Sequence, residues 1–255
     1  MPGAAAKIRQ YLPTLPRGKG DAVLQVGLFV LADLCYETVR GLAEGNLNEA
    51  LANARTVIDV EASMGLFFER GLQEALMNTQ WVIDIANFAY LNSHFIVTTC
   101  FLIWLYLYRN DHFYFVRNMF MIAMALALVG YSLVPTAPPR LVPGLGIEDT
   151  LTQVSVNHES ALVKLFVNPY AAIPSMHCAF SLMIGASGAR LSRHTLAKAL
   201  WCAYPLFVFF VVMVTGNHFW LDAAIGWSVA GLAALGAMQL AKARPAAWSW
   251  HTATA

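Results

Sequence analysis

His177 and His218 each stand in a short polar stretch between long apolar runs. Pro174-Ser175-Met176-His177 opens one run, and Thr215-Gly216-Asn217-His218-Phe219-Trp220-Leu221-Asp222 joins the next two. A third stretch, Pro135-Thr136-Ala137-Pro138-Pro139-Arg140, closes an earlier run. His218 and Asp222 are four apart, so on a helix their side chains share a face. The carboxylate can accept the N–H of one imidazole nitrogen, which fixes the tautomer and leaves the other nitrogen as a nucleophile. It also stabilises the cation that a phosphorylated histidine becomes. His177 fits the complementary task of protonating a leaving oxygen and later activating an incoming one. Pro174 suits the first turn of a helix, where Ser175 can offer a hydroxyl beside free N–H groups that favour a phosphate. Arg140 brings a permanent charge with bidentate geometry for phosphate oxygens. Together these residues spell chemistry on a phosphoester. Singly, each has a plainer reading: an interfacial histidine or helix cap, a first-turn acid complementing a helix dipole, a headgroup contact, and prolines that end a helix.

The elements that must position them are membrane spans. Of 255 residues, 58% are hydrophobic and 12% charged, about half the ~25% charged share of a soluble domain. The net charge of +1 and the lack of a basic patch argue against an acidic partner or nucleic acid. Cys35, Cys100, Cys178 and Cys202 all lie in apolar runs, with neither disulfide nor metal spacing. Stretches near 21–42, 81–108, 112–134, 173–192, 195–215 and 217–242 are long enough to cross a bilayer. Asp33, Glu37 and Arg40 interrupt the first, at a spacing that places them on one inward-turned face. The expected fold is therefore all-α, a single membrane-embedded domain over 1–255 built as a six-helix bundle. With a cytoplasmic N-terminus, 11 of the 16 Lys and Arg fall on the inside, including Lys7, Arg9, Arg109, Arg117, Arg190, Lys198 and Arg244. That orientation predicts a multi-pass cell-membrane protein with both termini cytoplasmic. It also brings all three polar stretches to the extracytoplasmic face.

Two outer segments are not spans. In 44–78 the acids Glu44, Glu49, Asp59, Glu61, Glu69 and Glu74 and the bases Arg55 and Arg70 alternate with Leu47, Leu51, Ile58, Phe67 and Leu72 at near-helical spacing. The pattern predicts an outer-face amphipathic helix or helix pair, either packed on the bundle or lying in the outer leaflet to admit lipid. Within the outer loop 135–172, residues 141–172 are broken by Pro143, Gly144, Gly146 and Pro169, with a short helical stretch around 159–167.

These motifs resemble the type-2 phosphatidic acid phosphatase superfamily, whose signatures read Lys-x6-Arg-Pro, Pro-Ser-Gly-His and Ser-Arg-x5-His-x3-Asp. Pro174-Ser175-Met176-His177 matches the second with Met in place of Gly, and His218 with Asp222 matches the end of the third. The Pro-Pro-Arg form of the first, the Met of the second and the Asn217-His218 pair are similar to the inositol phosphorylceramide synthase branch. The resemblance covers about 112 to 240. It implies a six-helix bundle, a phosphohistidine at His218, acid/base work by His177, orientation by Asp222 and phosphate binding by Arg140, with no metal and no cofactor. Leu133, Leu141, Val211 and Val212 stand where the signatures have Lys, Pro, Ser and Arg. Two of three expected cations are thus replaced, and Arg40, Arg70 and Lys164 are the outer residues that could stand in.

The expected function is a phosphotransferase that moves a phospholipid headgroup phosphate through His218 to a hydroxyl acceptor, lipid or polyol. The alternative is a lipid phosphate phosphatase delivering the same phosphohistidine to water. A transporter or lipid-binding protein would use the intramembrane Asp33, Glu37, Asp84 and Arg40. Against it stands the lack of an inverted repeat.

Overall fold

The computed structural model describes residues 15–42, 47–151 and 170–250, without the side chains of 39–42. Lys7, Arg9, Glu44, Lys164, the side chain of Arg40 and the helical stretch expected around 159–167 lie outside the described residues. The described residues are mostly helical: α1 (Gly18–Leu42), α2 (Leu47–Ser63), α3 (Glu69–Leu76), α4 (Gln80–Phe88), α5 (His94–Tyr108), α6 (Asn110–Leu133), α7 (Met176–Leu191), α8 (Thr195–Val214), α9 (Trp220–Ala241) and the short α10 (Pro245–Trp248). A π-helical turn, Ala89–Ser93, joins α4 to α5, so that Gln80–Tyr108 runs as one stretch of 29 residues. This stretch, α6, α8 and α9 are each long and apolar enough to cross a membrane. Their outward faces carry large apolar side chains such as Trp81, Phe95, Leu133, Leu206 and Leu235, all exposed. A surface of that kind is stable only against lipid or another apolar partner.

The helix limits follow local chemistry. α6 stops at Leu133 because Pro135 cannot continue the ladder. α7 starts at Met176, not at 173, because Ser175 is extended and its Oγ accepts the Cys178 N–H at 3.4 Å as an N-cap. At 16 residues α7 is shorter than the stretch its composition suggested. It is also the most enclosed helix, packed on α8 and α9, while α9 packs in turn on α6. Alanines make these contacts close. Ala123 and Ala127 of α6, Ala179 of α7 and Ala230, Ala233 and Ala237 of α9 are all buried in one core cluster, the small-residue packing expected between membrane helices.

The segment 47–76 forms two helices whose inward face is not apolar alone. Glu61 and Glu69, which the periodicity grouped with the solvent-facing charges, are completely buried. Leu47, Met64, Leu66 and Phe68 are exposed instead. The reason is hydrogen bonding at the start of α9, described below.

Candidate active site

Three backbone connections draw the polar stretches together. Thr136 forms a parallel bridge with Ala171, its N–H donating to the Tyr170 carbonyl and its carbonyl accepting from Ala172 N–H. The 3-10 turn Pro139–Leu141 docks on the α8–α9 turn through the Arg140 N–H, which donates to the Gly216 carbonyl at 3.0 Å. Ser175 N–H donates to the Asp222 carbonyl at 3.1 Å. α2 braces the first stretch from behind, with Asn53 Nδ2 donating to the Pro135 carbonyl and Ala50 accepting from Ala137 N–H.

Two glycines make the convergence possible. Gly216 has φ +65° in the α8–α9 turn, a conformation that a side chain resists, and a Cβ there would strike Ile147. Gly226, one turn past Asp222, lies under the start of α7. A Cβ on it would come within 2.3 Å of the Ser175 carbonyl oxygen.

His218 is almost fully buried. Its Nδ1 lies 3.0 Å from the Ala172 carbonyl oxygen and 3.4 Å from Asp222 Oδ2. A carbonyl oxygen only accepts, so Nδ1 carries the proton and Nε2 keeps the lone pair. The carboxylate is thus the more distant of two acceptors on this N–H, with the Ala172 carbonyl the nearer. Asp222 Oδ2 also accepts the Phe219 N–H at 2.9 Å, and Asp222 is completely buried.

The His177 ring centroid is 5.9 Å from that of His218. It stacks on Tyr90 at 4.4 Å and meets His94 at 4.6 Å, while His94 stacks on Phe180 at 4.9 Å. Tyr90 lies in the π-helical turn, the kind of local widening that often marks functional sites. Tyr90 and His94 are absent from the motifs read in the sequence. The signal that could have found His94 is an ionisable residue inside a span.

His177, His218, Arg140 and Asn217 all line one cavity of about 920 Å³. It extends between α1, α5 and α6 past Tyr36, Thr98, Phe120 and Met124 as far as Arg117 and Gln25. Arg140 Nε stands 3.4 Å from Asp149 Oδ2, an ion-pair distance. The bond is not aligned as a hydrogen bond, and the buried Nε makes no other. Asn217 has a fixed amide. Thr215 Oγ1 donates to the Val211 carbonyl, so it accepts from Asn217 Nδ2 at 2.8 Å. Asn217 Oδ1 is therefore the atom left over, buried and without a hydrogen bond. Thr98 Oγ1, on the same cavity, also lacks a partner.

Ser175 and Asp222 are completely buried and do not line this cavity. The Ser175 hydroxyl caps α7. Arg70 pairs with Glu74 at 2.7 Å on the surface and is also absent from the lining. Asp33 and Glu37 line the cavity, whereas Asp84 takes a hydrogen bond from Gln80 on an exposed face. Among the described residues, no group of three or more His, Cys, Asp or Glu is arranged to hold a metal ion.

A pair of histidines thus lines a largely apolar cavity of a helical membrane protein. The family model of the PAP2 superfamily matches residues 55–236, more than two-thirds of the chain, and the protein belongs to that superfamily. Neither a curated protein nor a solved structure matches it. Membership brings lipid phosphoryl-transfer chemistry of the phosphatase type and phospholipid or lipid phosphate substrates.

Proposed function

We propose that the protein is a lipid phosphotransferase acting on phosphodiester lipids at the extracytoplasmic face, with the spans α1, α4–α5, α6, α7, α8 and α9 and both termini cytoplasmic. The described cations of the cavity carry the substrate preference. They are Arg140, with Asp149 beside it, and Arg117, whose guanidinium is engaged by Gln25 and Asn118. Asp33 and Glu37 line the same space. A phosphomonoester carries about −1.5 to −2 charges near neutral pH, and a diester carries one. A single half-offset arginine suits the diester.

In this reading the Arg140 guanidinium holds a phosphate oxygen, and His218 Nε2 attacks phosphorus in line with the leaving oxygen. A P–N bond forms as the P–O bond breaks, and His177 gives its proton to the departing alkoxide. The Nδ1–H bonds to Ala172 and Asp222 stabilise the cationic phosphohistidine. An acceptor hydroxyl then loses its proton to His177 and attacks phosphorus, and the P–N pair returns to Nε2. Asn217 and Thr98 add polar side chains to the lining, and the apolar remainder of the cavity suits acyl chains.

The test compares kcat/KM for a phosphatidic acid and a headgroup-bearing phospholipid, with and without a hydroxyl acceptor, in detergent micelles. The expected result is faster use of the headgroup lipid, with product formation dependent on acceptor. Rapid release of inorganic phosphate from the phosphatidic acid, indifferent to acceptor, would instead make the protein a phosphatase.

A further inference from the structure

The N–H groups at the start of α9, from its N-cap Phe219 to Leu221, have no carbonyl of an earlier turn to bond and need other acceptors. Each finds a different carboxyl group. Phe219 N–H donates to Asp222 Oδ2 at 2.9 Å, Trp220 N–H to Glu69 Oε1 at 2.8 Å, and Leu221 N–H to Glu61 Oε1 at 3.0 Å. Glu69 comes from α3 and Glu61 from α2, and all three acids are completely buried. The second oxygen of Glu69 accepts the Phe68 N–H at 3.0 Å, whereas Glu61 Oε2 has no donor.

Three buried carboxylates at one helix end would repel strongly, and the helix dipole offsets only a fraction of a charge. A proton on Glu61 Oε2 removes one charge and turns the orphaned oxygen into a donor, with the Glu69 carboxylate beside it. Burial is the main force holding that proton, and Glu69 and Asp222 add to it, pushing the Glu61 carboxyl up to about 9. Its titratable neighbours are Glu69 on α3, Asp222 on α9 and, through Asp222, His218.

We propose that Glu61 and Glu69 are positioning residues for His218: a carboxylic acid–carboxylate pair that clamps the start of α9, and with it the Asp222–His218 couple, to α2 and α3. Neither touches substrate. The same α2 braces the Pro135–Ala137 stretch at its other end, so one helix sets both the arginine turn and the histidine turn. The inference rests on His218 being the working histidine.

Glutamine separates a role for the proton from a role for bulk. In Glu61→Gln the side-chain amide keeps an oxygen for the Leu221 N–H and donates through its nitrogen to Glu69, as the protonated acid does, and it cannot ionise. Turnover of a fluorescent glycerophospholipid in micelles is measured from pH 6 to 10 for wild type, Glu61→Gln, Glu61→Ala, Glu69→Ala and His218→Ala, each checked for folding by thermal unfolding. Expected are a kcat loss of about 100-fold for the two glutamate-to-alanine variants, the scale of an ångström of misplacement, with KM little changed. Glu61→Gln should stay near wild type at pH 7. Wild-type kcat should fall as pH passes about 9, where Glu61 ionises against Glu69, and that fall should be missing in Glu61→Gln. Superimposable pH profiles for wild type and Glu61→Gln overturn the proposal, as does a folded Glu61→Ala with wild-type kcat. If Glu61→Ala fails to fold, the pH comparison with Glu61→Gln still decides. Full activity in His218→Ala would bring down the underlying histidine reading, a separate outcome.

Discussion

His218 and His177 face each other at a ring separation of 5.9 Å, and the groups packed around them differ in kind. His218 is held by hydrogen bonds: Nδ1 meets the Ala172 carbonyl and Asp222, and Asp222 is itself tied to the Phe219 N–H. Its ring direction and its tautomer are fixed together. His177 has aromatic rings against its faces, with Tyr90 stacked on it and His94 tilted against it. Ring stacking fixes a plane but leaves the choice of protonated nitrogen to the hydrogen-bond partners. A nucleophile needs one lone pair aimed at one atom. A proton carrier must serve a leaving oxygen and then an incoming one, in alternate protonation states. The two environments suit the duties proposed for the two histidines.

The sharpest way to break that comparison is to remove each histidine. His218→Ala should lower turnover by at least about 10⁴-fold, the scale on which loss of a nucleophile is felt, without unfolding the bundle. An acid-labile, base-stable phosphoryl adduct should form on wild type and be missing from this variant by mass spectrometry. An adduct that persists, carried by His177, would exchange the two roles.

His177→Ala should cost about 10²- to 10⁴-fold with a lipid alkoxide as leaving group, and far less with a nitrophenyl phosphodiester, whose leaving group needs no proton. Equal losses for both substrates would deny His177 its acid role.

Part of this was legible in the sequence because it depends on order and parity along the chain. His177, Asp222, His218 and Arg140 could be singled out from three polar stretches at span ends, and the spacing of four between His218 and Asp222 implied their shared face. What was illegible depends on partners far away in sequence. Glu61 and Glu69 alternate with apolar residues as the charges of a surface helix do, but their donors are Leu221 and Trp220, 160 and 151 residues distant. No local periodicity reports such a partner. Tyr90 was hidden for another reason: in a 29-residue apolar stretch, an aromatic carries no mark of which face it occupies. The Ala172 carbonyl could not be foreseen at all, since a backbone acceptor has no residue signature.

Gly226 bears on both histidines at once. An alanine there must displace the Ser175 carbonyl, 2.3 Å from where its Cβ would stand, and the obstacle is backbone. Overpacking of this kind costs about 1–3 kcal/mol, so the thermal midpoint should drop while the bundle survives. Because Ser175 caps the helix that begins at Met176, the shift also moves His177 away from His218. Gly226→Ala is expected to lose roughly 10- to 100-fold in kcat for alkoxide and nitrophenyl leaving groups alike, the insensitivity distinguishing displacement of both rings from loss of the acid alone. Wild-type kcat in this variant would mean that the α7–α9 contact has slack the packing does not suggest.

The smallest effect should come from the ring that backs His177. Aromatic pairs contribute about 0.5–1.5 kcal/mol beyond their buried area, which corresponds to a factor of roughly 2 to 10 if the stack is what holds the imidazole plane. Tyr90→Leu removes the ring and keeps most of the apolar volume, whereas Tyr90→Phe keeps the ring and removes only the hydroxyl. If stacking is the restraint, Tyr90→Leu should fall several-fold in kcat with alkoxide leaving groups and hardly at all with nitrophenyl, following the pattern of His177→Ala in miniature. Tyr90→Phe, which retains the ring, should keep more kcat than Tyr90→Leu with alkoxide leaving groups. The reverse order, with Phe as damaging as Leu, would show that the hydroxyl holds the site together through a hydrogen bond. His177 would then be positioned by the same means as His218, and the contrast between the two histidines would disappear.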